Sequence, residues 1–423
     1  MDQERLDRQL RIEGWNQQAL SDTTIGVIGD EDYLASFFIM SAAALGINNI
    51  KVIAPFLDDD LMEIAHKVNP DLELAHIRGN FTNDRMIYLF QNSITGLYPR
   101  ITADLTNHNI ANKILLEQSY YNHLTLLRGM LFEDNGVSGF NIFTYYKGRE
   151  WEDLKKVISP HVFPKDHFDD PVLDIVASGI LLEEAKNIIM RGGAINASRE
   201  VIAYERETPK GYDKKQKVLI GGAGALSNFV SMALGYDGFK DQTIIDPDEV
   251  EVTNLNRQVL LYEGVGKSKA ETLSAMLNKL FGVNAKPIVK YFNKRTGIAK
   301  YNALFDCFDN FESRVIMSDK CKDKKTLISG GTNIDAGQVV VYDPGNGYVP
   351  PADLLGLHDI VDQRKKGSYK RVRESCTYRP DPSVIMTNQT IGGLMVDLYR
   401  RMLSNQKVSN IFYDSKSDVK IGN

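Results

Sequence analysis

The stretch DPDEVEVTNLNRQ, residues 246–258, packs short, directional hydrogen-bonding side chains just past an apolar run, TII. Asp246 at that point suits the hydroxyls of a ribose, and Arg257 suits phosphate. Upstream, VLIGGAGALS sets Gly222 and Gly224 between an apolar strand and a helix-like segment. Small residues there let backbone N–H groups approach a phosphate at the start of a helix. Downstream, Lys269 opens the apolar-periodic stretch KAETLSAMLNKLF. In ALFDCFDNFESR, Asp309 and Asn310 fall just beyond another strand. A carboxylate at a strand's carboxyl end can hold Mg2+ against triphosphate oxygens. The glycines alone are a weak sign, because Ser227 stands where the third glycine of a dinucleotide fingerprint belongs. GVGKSK at 264–269 is no phosphate loop, since the glycine that pattern needs is Leu261.

Elements that would position these groups occur twice. TTIGVIGDEDYLASFFIMSAAALGINNIKVIAP (23–55) and QKVLIGGAGALSNFVSMALGYDGFKDQTIIDP (216–247) both read as strand, tight loop, apolar helix, strand. DPVLDIVASGILLEEAKNIIM from Asp170 and DPSVIMTNQTIGGLMVDLYRRML from Asp381 repeat a second pattern, with Asp-Pro expected to open a long helix. LTLLRG, NIFTYY, ALFDCFD, TLISGG and QVVVYD add strand candidates that alternate with helical stretches. The expected architecture is therefore α/β: two tandem Rossmann-like domains, each a mostly parallel sheet covered by helices. The boundaries expected are 1–205 and 206–423, with the polar stretch YERETPKGYDKKQK (204–217) as linker.

The composition of the 423 residues fits such a protein, with 43% hydrophobic and 25% charged residues. A net charge of −5 gives no reason to expect nucleic acid or membrane surfaces as partners. The charged N-terminus lacks the apolar core of an export signal, so a cytoplasmic location is expected. Three cysteines, no CxxC and no HExxH argue against a zinc centre.

Taken in order, GxG, DxD, NLxRQ, Lys and DxxDN resemble the ThiF/MoeB and ubiquitin-activating enzyme superfamily, with specific motifs over 218–342. The resemblance implies adenylation of the C-terminal glycine of a ubiquitin-like protein, with ATP and Mg2+. By position it implies that Asp246 holds the ribose, and that Asn254, Arg257 and Lys269 face the phosphates. Asp309 would hold Mg2+, while Asp248, Gln258, Asn310 and Arg314 sit at further motif positions. RLDRQLRIEGWNQQAL (5–20) resembles the family's N-terminal RxxRQ segment, which makes Arg8 the arginine that reaches an active site across a pseudo-dimer. In the front copy, GDEDYLA puts carboxylates where the phosphate loop should be, an unfavourable setting for a triphosphate. The resemblance thus implies an inactive front half and an active rear half in one chain.

Cys376 lies in RVRESCTYRPDPSV, after RKKGSYKRVR with its six Lys or Arg. Nearby positive charge favours a thiolate, and the segment resembles that of the catalytic cysteine of activating enzymes. The alternative is a solvated basic loop. Cys307 is expected in the core and Cys321, in SDKCKDKK, on an exposed helix end. Three functions follow: activation with a thioester at Cys376, adenylation alone in the service of sulfur transfer, or a nucleotide-binding scaffold without turnover. A conjugating enzyme or sulfur-transfer protein would be the downstream partner, and the chain could be monomeric or a homodimer.

Overall fold

The computed structural model describes residues 4–91, 99–122, 124–145, 157–162, 168–190, 201–365, 381–417 and 421–422. The chain divides into two compact units. The first takes Met1–Leu6, Ile12–Thr208 and Asp414–Gly422; the second takes Asp7–Arg11 and Pro209–Tyr413.

Strands of the first unit are β1 (Thr24–Gly29), β2 (Asn49–Ala54), β3 (Glu73–Arg78), β4 (Ile101–Leu105), β5 (Thr125–Asp134), β6 (Val137–Tyr145) and β7 (Ile202–Glu207). They lie in the order β3-β2-β1-β4-β5-β6-β7. β1 to β5 pair in parallel, and β6 and β7 add antiparallel partners. Its main helices are α1 (Leu34–Leu45), α2 (Asp59–Val68), α3 (Asn109–Asn122) and α4 (Pro171–Met190). Every residue of α1 is buried, as LASFFIMSAAAL, apolar or small all round, requires. The sheet and helices enclose a core that includes Ile28, Ile53, Phe81, Phe90, Leu115 and Phe143.

The second unit has β8 (Lys217–Gly221), β9 (Asp241–Ile245), β10 (Lys286–Ile288), β11 (Ala303–Asp306), β12 (Thr326–Thr332), β13 (Ala336–Tyr342) and β14 (Ile411–Asp414). Their order is β10-β9-β8-β11-β12-β13-β14, with β8 to β12 parallel and β13 antiparallel to β12. Its helices include α5 (Ala225–Tyr236), α6 (Lys269–Phe281), α7 (Phe311–Cys321) and α8 (Ile385–Leu403). The first β-α-β passage of each unit has the predicted order. Strand order reverses at β8, between β9 and β11, which is where an open α/β sheet leaves a crevice at its carboxyl edge.

Three local expectations need correction. YERE in the expected linker is the end of β7, whose alternate residues are buried. The second Asp-Pro does not open a helix: α8 starts at Ile385, and Asp381 to Val384 are outside it. Cys321 is fully buried rather than exposed, packed with Met317, Leu304 and Leu327. No described helix is long and apolar enough to cross a membrane.

Candidate functional site

Gly221 ends β8, and the chain turns at Gly222, whose φ of +96° suits only glycine. A Cβ there would sit 2.9 Å from the Cys307 carbonyl oxygen, so the loop also lies against the turn after β11. Gly224 is the N-cap of α5 and leaves open space, the nearest atom to a built Cβ being the Gln258 amide nitrogen at 3.9 Å. Ser227, in the third glycine's place, donates its hydroxyl to the Gly224 carbonyl (2.9 Å). Asn228 donates to the same carbonyl (2.8 Å) and accepts from the Leu260 N–H (2.9 Å), tying the loop to the segment after NLNRQ.

Asp246 follows β9 directly. Its Oδ2 accepts the Ala223 N–H and its Oδ1 the Asp248 N–H, each at 2.7 Å. Burial pushes this carboxyl up from its ordinary range; those two N–H groups and the charge of Lys269 pull it back. Lys269 begins α6, with its Nζ 3.4 Å from Asp248 Oδ2. A cation so placed has one exposed carboxylate as partner and can exchange it for a phosphate.

The NLNRQ segment forms two short 3-10 turns, Val252–Asn254 and Val259–Leu261. Asn254 spends its carbonyl on the Glu251 N–H (3.0 Å), which fixes the turn. Arg257 is buried and donates to the Thr253 carbonyl (2.9 Å) and to Asn256 Oδ1 (2.7 Å). Its pKa is pushed down to about 9, by burial first and then by the positive charge of Arg8, against the pull of Glu251. Two cations held close in this way favour an anion between or beside them. Gln258 keeps a buried side-chain oxygen that receives no hydrogen bond among the described residues, its amide nitrogen facing the glycine loop.

Arg8 belongs to the second unit with the helical turn Asp7–Leu10. It donates to the Asp381 carbonyl (3.0 Å), and neighbouring Gln9 accepts from Asn256 Nδ2 (3.0 Å). Asn256 also reaches the Ser383 carbonyl (3.4 Å). Gln9, Asn256 and Asn228 were not among the residues expected from sequence. Gln9 and Asn256 lie inside the quoted motifs, and that adjacency was the available signal.

Beyond β11, Asp309 is exposed, while Asn310 caps α7 by accepting the Ser313 N–H (2.8 Å). Arg314 is buried and pairs through Nε with Asp306 Oδ2 (3.1 Å). Among the described residues no group of three His, Cys, Asp or Glu side chains could hold a metal ion by itself. Mg2+ takes one or two carboxylates with substrate phosphates supplying the rest, so a single exposed Asp309, two residues beyond the Cys307 that lies against Gly222, suits it. Cys376 lies outside the described residues. Cys307 and Cys321 are buried, Cys307's thiol pushed well up by burial and then by Asp306, Cys321's up to about 12 by burial. Neither is a ready nucleophile at neutral pH.

The corresponding loop of the first unit is filled by its own side chains. Asp30 Oδ2 accepts the Asn107 N–H (2.6 Å), and Asp30 lies 3.7 Å from His108. Asp32 accepts the Leu34 N–H at the start of α1 (3.1 Å). Carboxylates thus stand where a phosphate would have to be received.

Comparison with known proteins falls on the second unit. Residues 210–416 match the ThiF family model. A Drosophila sechellia protein named adenylyltransferase and sulfurtransferase MOCS3 is 35% identical over 140 residues, covering 32% of this chain and 31% of its own. The Debaryomyces hansenii adenylyltransferase and sulfurtransferase UBA4 is 36% identical over 138 residues, covering 31% and 30%. The chain thus spans about 30% of the length of these relatives. Among solved structures, MccB of E. coli aligns over 49% of this chain and 63% of that chain, with 21% identity and a TM-score of 0.39. Residues 210–416 thus carry a ThiF family domain, which holds the elements of this site apart from Arg8 and Gln9.

Proposed function

We propose that the second unit binds Mg·ATP and adenylates the C-terminal carboxylate of a ubiquitin-like protein. The observation that carries this reading is the tether between Asp246 and the glycine loop, with Lys269 alongside. It joins a ribose acceptor, a phosphate cradle and a cation at one sheet edge. Asp246 receives the ribose hydroxyls; the Gly222–Gly224 backbone, Lys269 and Arg257 receive the phosphates; Arg8 adds charge where pyrophosphate develops. A carboxylate oxygen of the substrate attacks the α-phosphorus, the bond to the β-phosphate breaks, and pyrophosphate leaves. The product is an acyl adenylate. Bound at Asp309, Mg2+ would neutralise phosphate charge.

In a reading that serves sulfur transfer, for which the names adenylyltransferase and sulfurtransferase of MOCS3 and UBA4 are support, this site's role is to make that adenylate. In the fuller reading, the Cys376 thiolate attacks the acyl carbon, AMP leaves and a thioester forms. Burial of Cys307 and Cys321 supports Cys376 as the site of any such adduct. The carboxylate-filled loop of the first unit supports one active and one inactive half, as in a single-chain pseudo-dimer. A cytoplasmic setting suits free thiols and ATP.

The test is incubation with ATP, Mg2+ and a ubiquitin-like protein ending in glycine, followed by pyrophosphate exchange and a non-reducing gel. Exchange is expected in wild type and in Cys376→Ala. A thiol-sensitive adduct that disappears in Cys376→Ala supports the thioester; exchange without any adduct supports the sulfur-carrier reading. No exchange with any such protein leaves the scaffold reading.

A further inference from the structure

Asp309 has no hydrogen-bond or ion-pair partner among the described residues, yet a metal ligand on an exposed turn must be held in place to be effective. What holds the turn lies one layer deeper. Asp306, the last residue of β11, is 1% exposed. Its Oδ1 accepts the Phe308 N–H (3.2 Å), so this carboxylate grips the residue next to Asp309. Its Oδ2 receives two donors, the Arg314 Nε (3.1 Å) and the Ser329 hydroxyl (2.7 Å). Arg314 Nη2 closes the triangle by donating to Ser329 Oγ (3.1 Å).

The triangle joins three elements: the end of β11, the first turns of α7, and β12. It also bears on the phosphate cradle. The Cys307 carbonyl and Phe308 ring press on Gly222 and Gly221, and the Cys307 N–H donates to the Gly221 carbonyl (3.0 Å). A shift of the 307–310 turn would displace Asp309, whereas the glycine loop keeps a separate tether, the Ala223 N–H to Asp246 (2.7 Å). The side-chain bonds of Arg314 run to Asp306 and Ser329, so any hold it has on Asp309 passes through Asp306 and the turn. Its guanidinium lies against Gly331, where a Cβ would come within 3.4 Å of Nη1.

Resting on the nucleotide reading above, we propose that Arg314 is a positioning residue for the metal site: with Asp306 and Ser329 it fixes the turn that presents Asp309 to Mg·ATP. A lysine in its place keeps the charge but offers one nitrogen on a flexible stem, not the rigid planar fork whose Nε and Nη2 span Asp306 and Ser329. The pair is buried, so removing one member also exposes the fold to loss of stability, and the test must separate the two effects.

That separation comes from two nucleotides that need no protein partner. Binding of Mg2+ with α,β-methylene-ATP, and of AMP in EDTA, is measured by calorimetry on the full chain. The variants are Arg314→Lys, Ser329→Ala and Asp309→Asn, each checked for an unchanged melting profile. Ser329→Ala serves if Arg314→Lys does not fold. The positioning role predicts about tenfold weaker binding of the magnesium complex and a higher Mg2+ midpoint in Arg314→Lys, the scale of outer-shell changes at metal sites. AMP affinity stays within about twofold by the same reasoning. Equal losses for both nucleotides, or no loss for either, overturn the proposal. If Asp309→Asn binds the magnesium complex like wild type, the metal reading itself fails; if only Arg314→Lys and Ser329→Ala are unchanged, the positioning role alone fails.

Discussion

The Ala223 N–H donates to Asp246 Oδ2 at 2.7 Å, joining the glycine loop after β8 to the residue after β9. Both oxygens of Asp246 are engaged by N–H groups, which leaves their remaining lone pairs aimed outward for hydroxyl donors. Asp246→Ala removes the acceptor of two backbone donors at once. It is expected to weaken ATP binding more than tenfold and to cost about 2 kcal/mol of stability, the range for a charged acceptor lost from a partly buried site. Chemical denaturation and calorimetry read the two effects separately.

Arg8 raises a different balance. Its charge helps depress the pKa of Arg257, so in the empty protein the two cations oppose one another. Arg8→Ala relieves that repulsion while losing one hydrogen bond to the Asp381 carbonyl. The melting temperature is expected to change by less than about 2 °C, since these effects are each near 0.5–1 kcal/mol and opposed. Pyrophosphate exchange is expected to fall about tenfold or more, as for other cations that meet developing phosphate charge.

Much of the first unit and the second was legible because apolar runs recur in the same strand, tight loop, helix, strand order. What failed shows where local patterns yield to neighbours. At the first Asp-Pro, Asp170 accepts the Val172 and Leu173 N–H groups and starts α4. At the second, the Asp381 carbonyl is taken by Arg8, and the helix starts only at Ile385. Cys321 looked exposed among lysines, but it stands four residues after Met317 on α7, and that spacing turns it into the core. The Asp306–Arg314–Ser329 triangle was out of reach because Ser329 sits inside an apolar strand and has no motif of its own.

The front unit carries a pH signature. Asp174 on α4 is fully buried, and among the described residues neither carboxylate oxygen has a donor in normal geometry; the Tyr33 N–H pulls its pKa down only weakly. Burial, then Asp32, Asp169 and Asp170, hold its carboxyl well above the ordinary range; burial and Asp30 do the same for Asp32, with Arg128 a minor opposing charge. The folded state therefore keeps protons that the unfolded chain releases above a pH of about 3.9. Their stabilising contribution is full below that value and is lost as pH rises through the raised folded values. Asp174→Asn is expected to raise the melting temperature at pH 8 by about 2–4 °C, equivalent to about 1 kcal/mol. At pH 4 the gain should vanish. Melting curves across that range check the sign.

The most direct measurement is a calorimetric titration of the full chain with Mg·ATP, repeated on Lys269→Ala. The account predicts one nucleotide per chain, with affinity reduced about tenfold or more when this phosphate-facing cation is removed. A titration that Lys269→Ala leaves unchanged, or two nucleotides bound per chain, would contradict it.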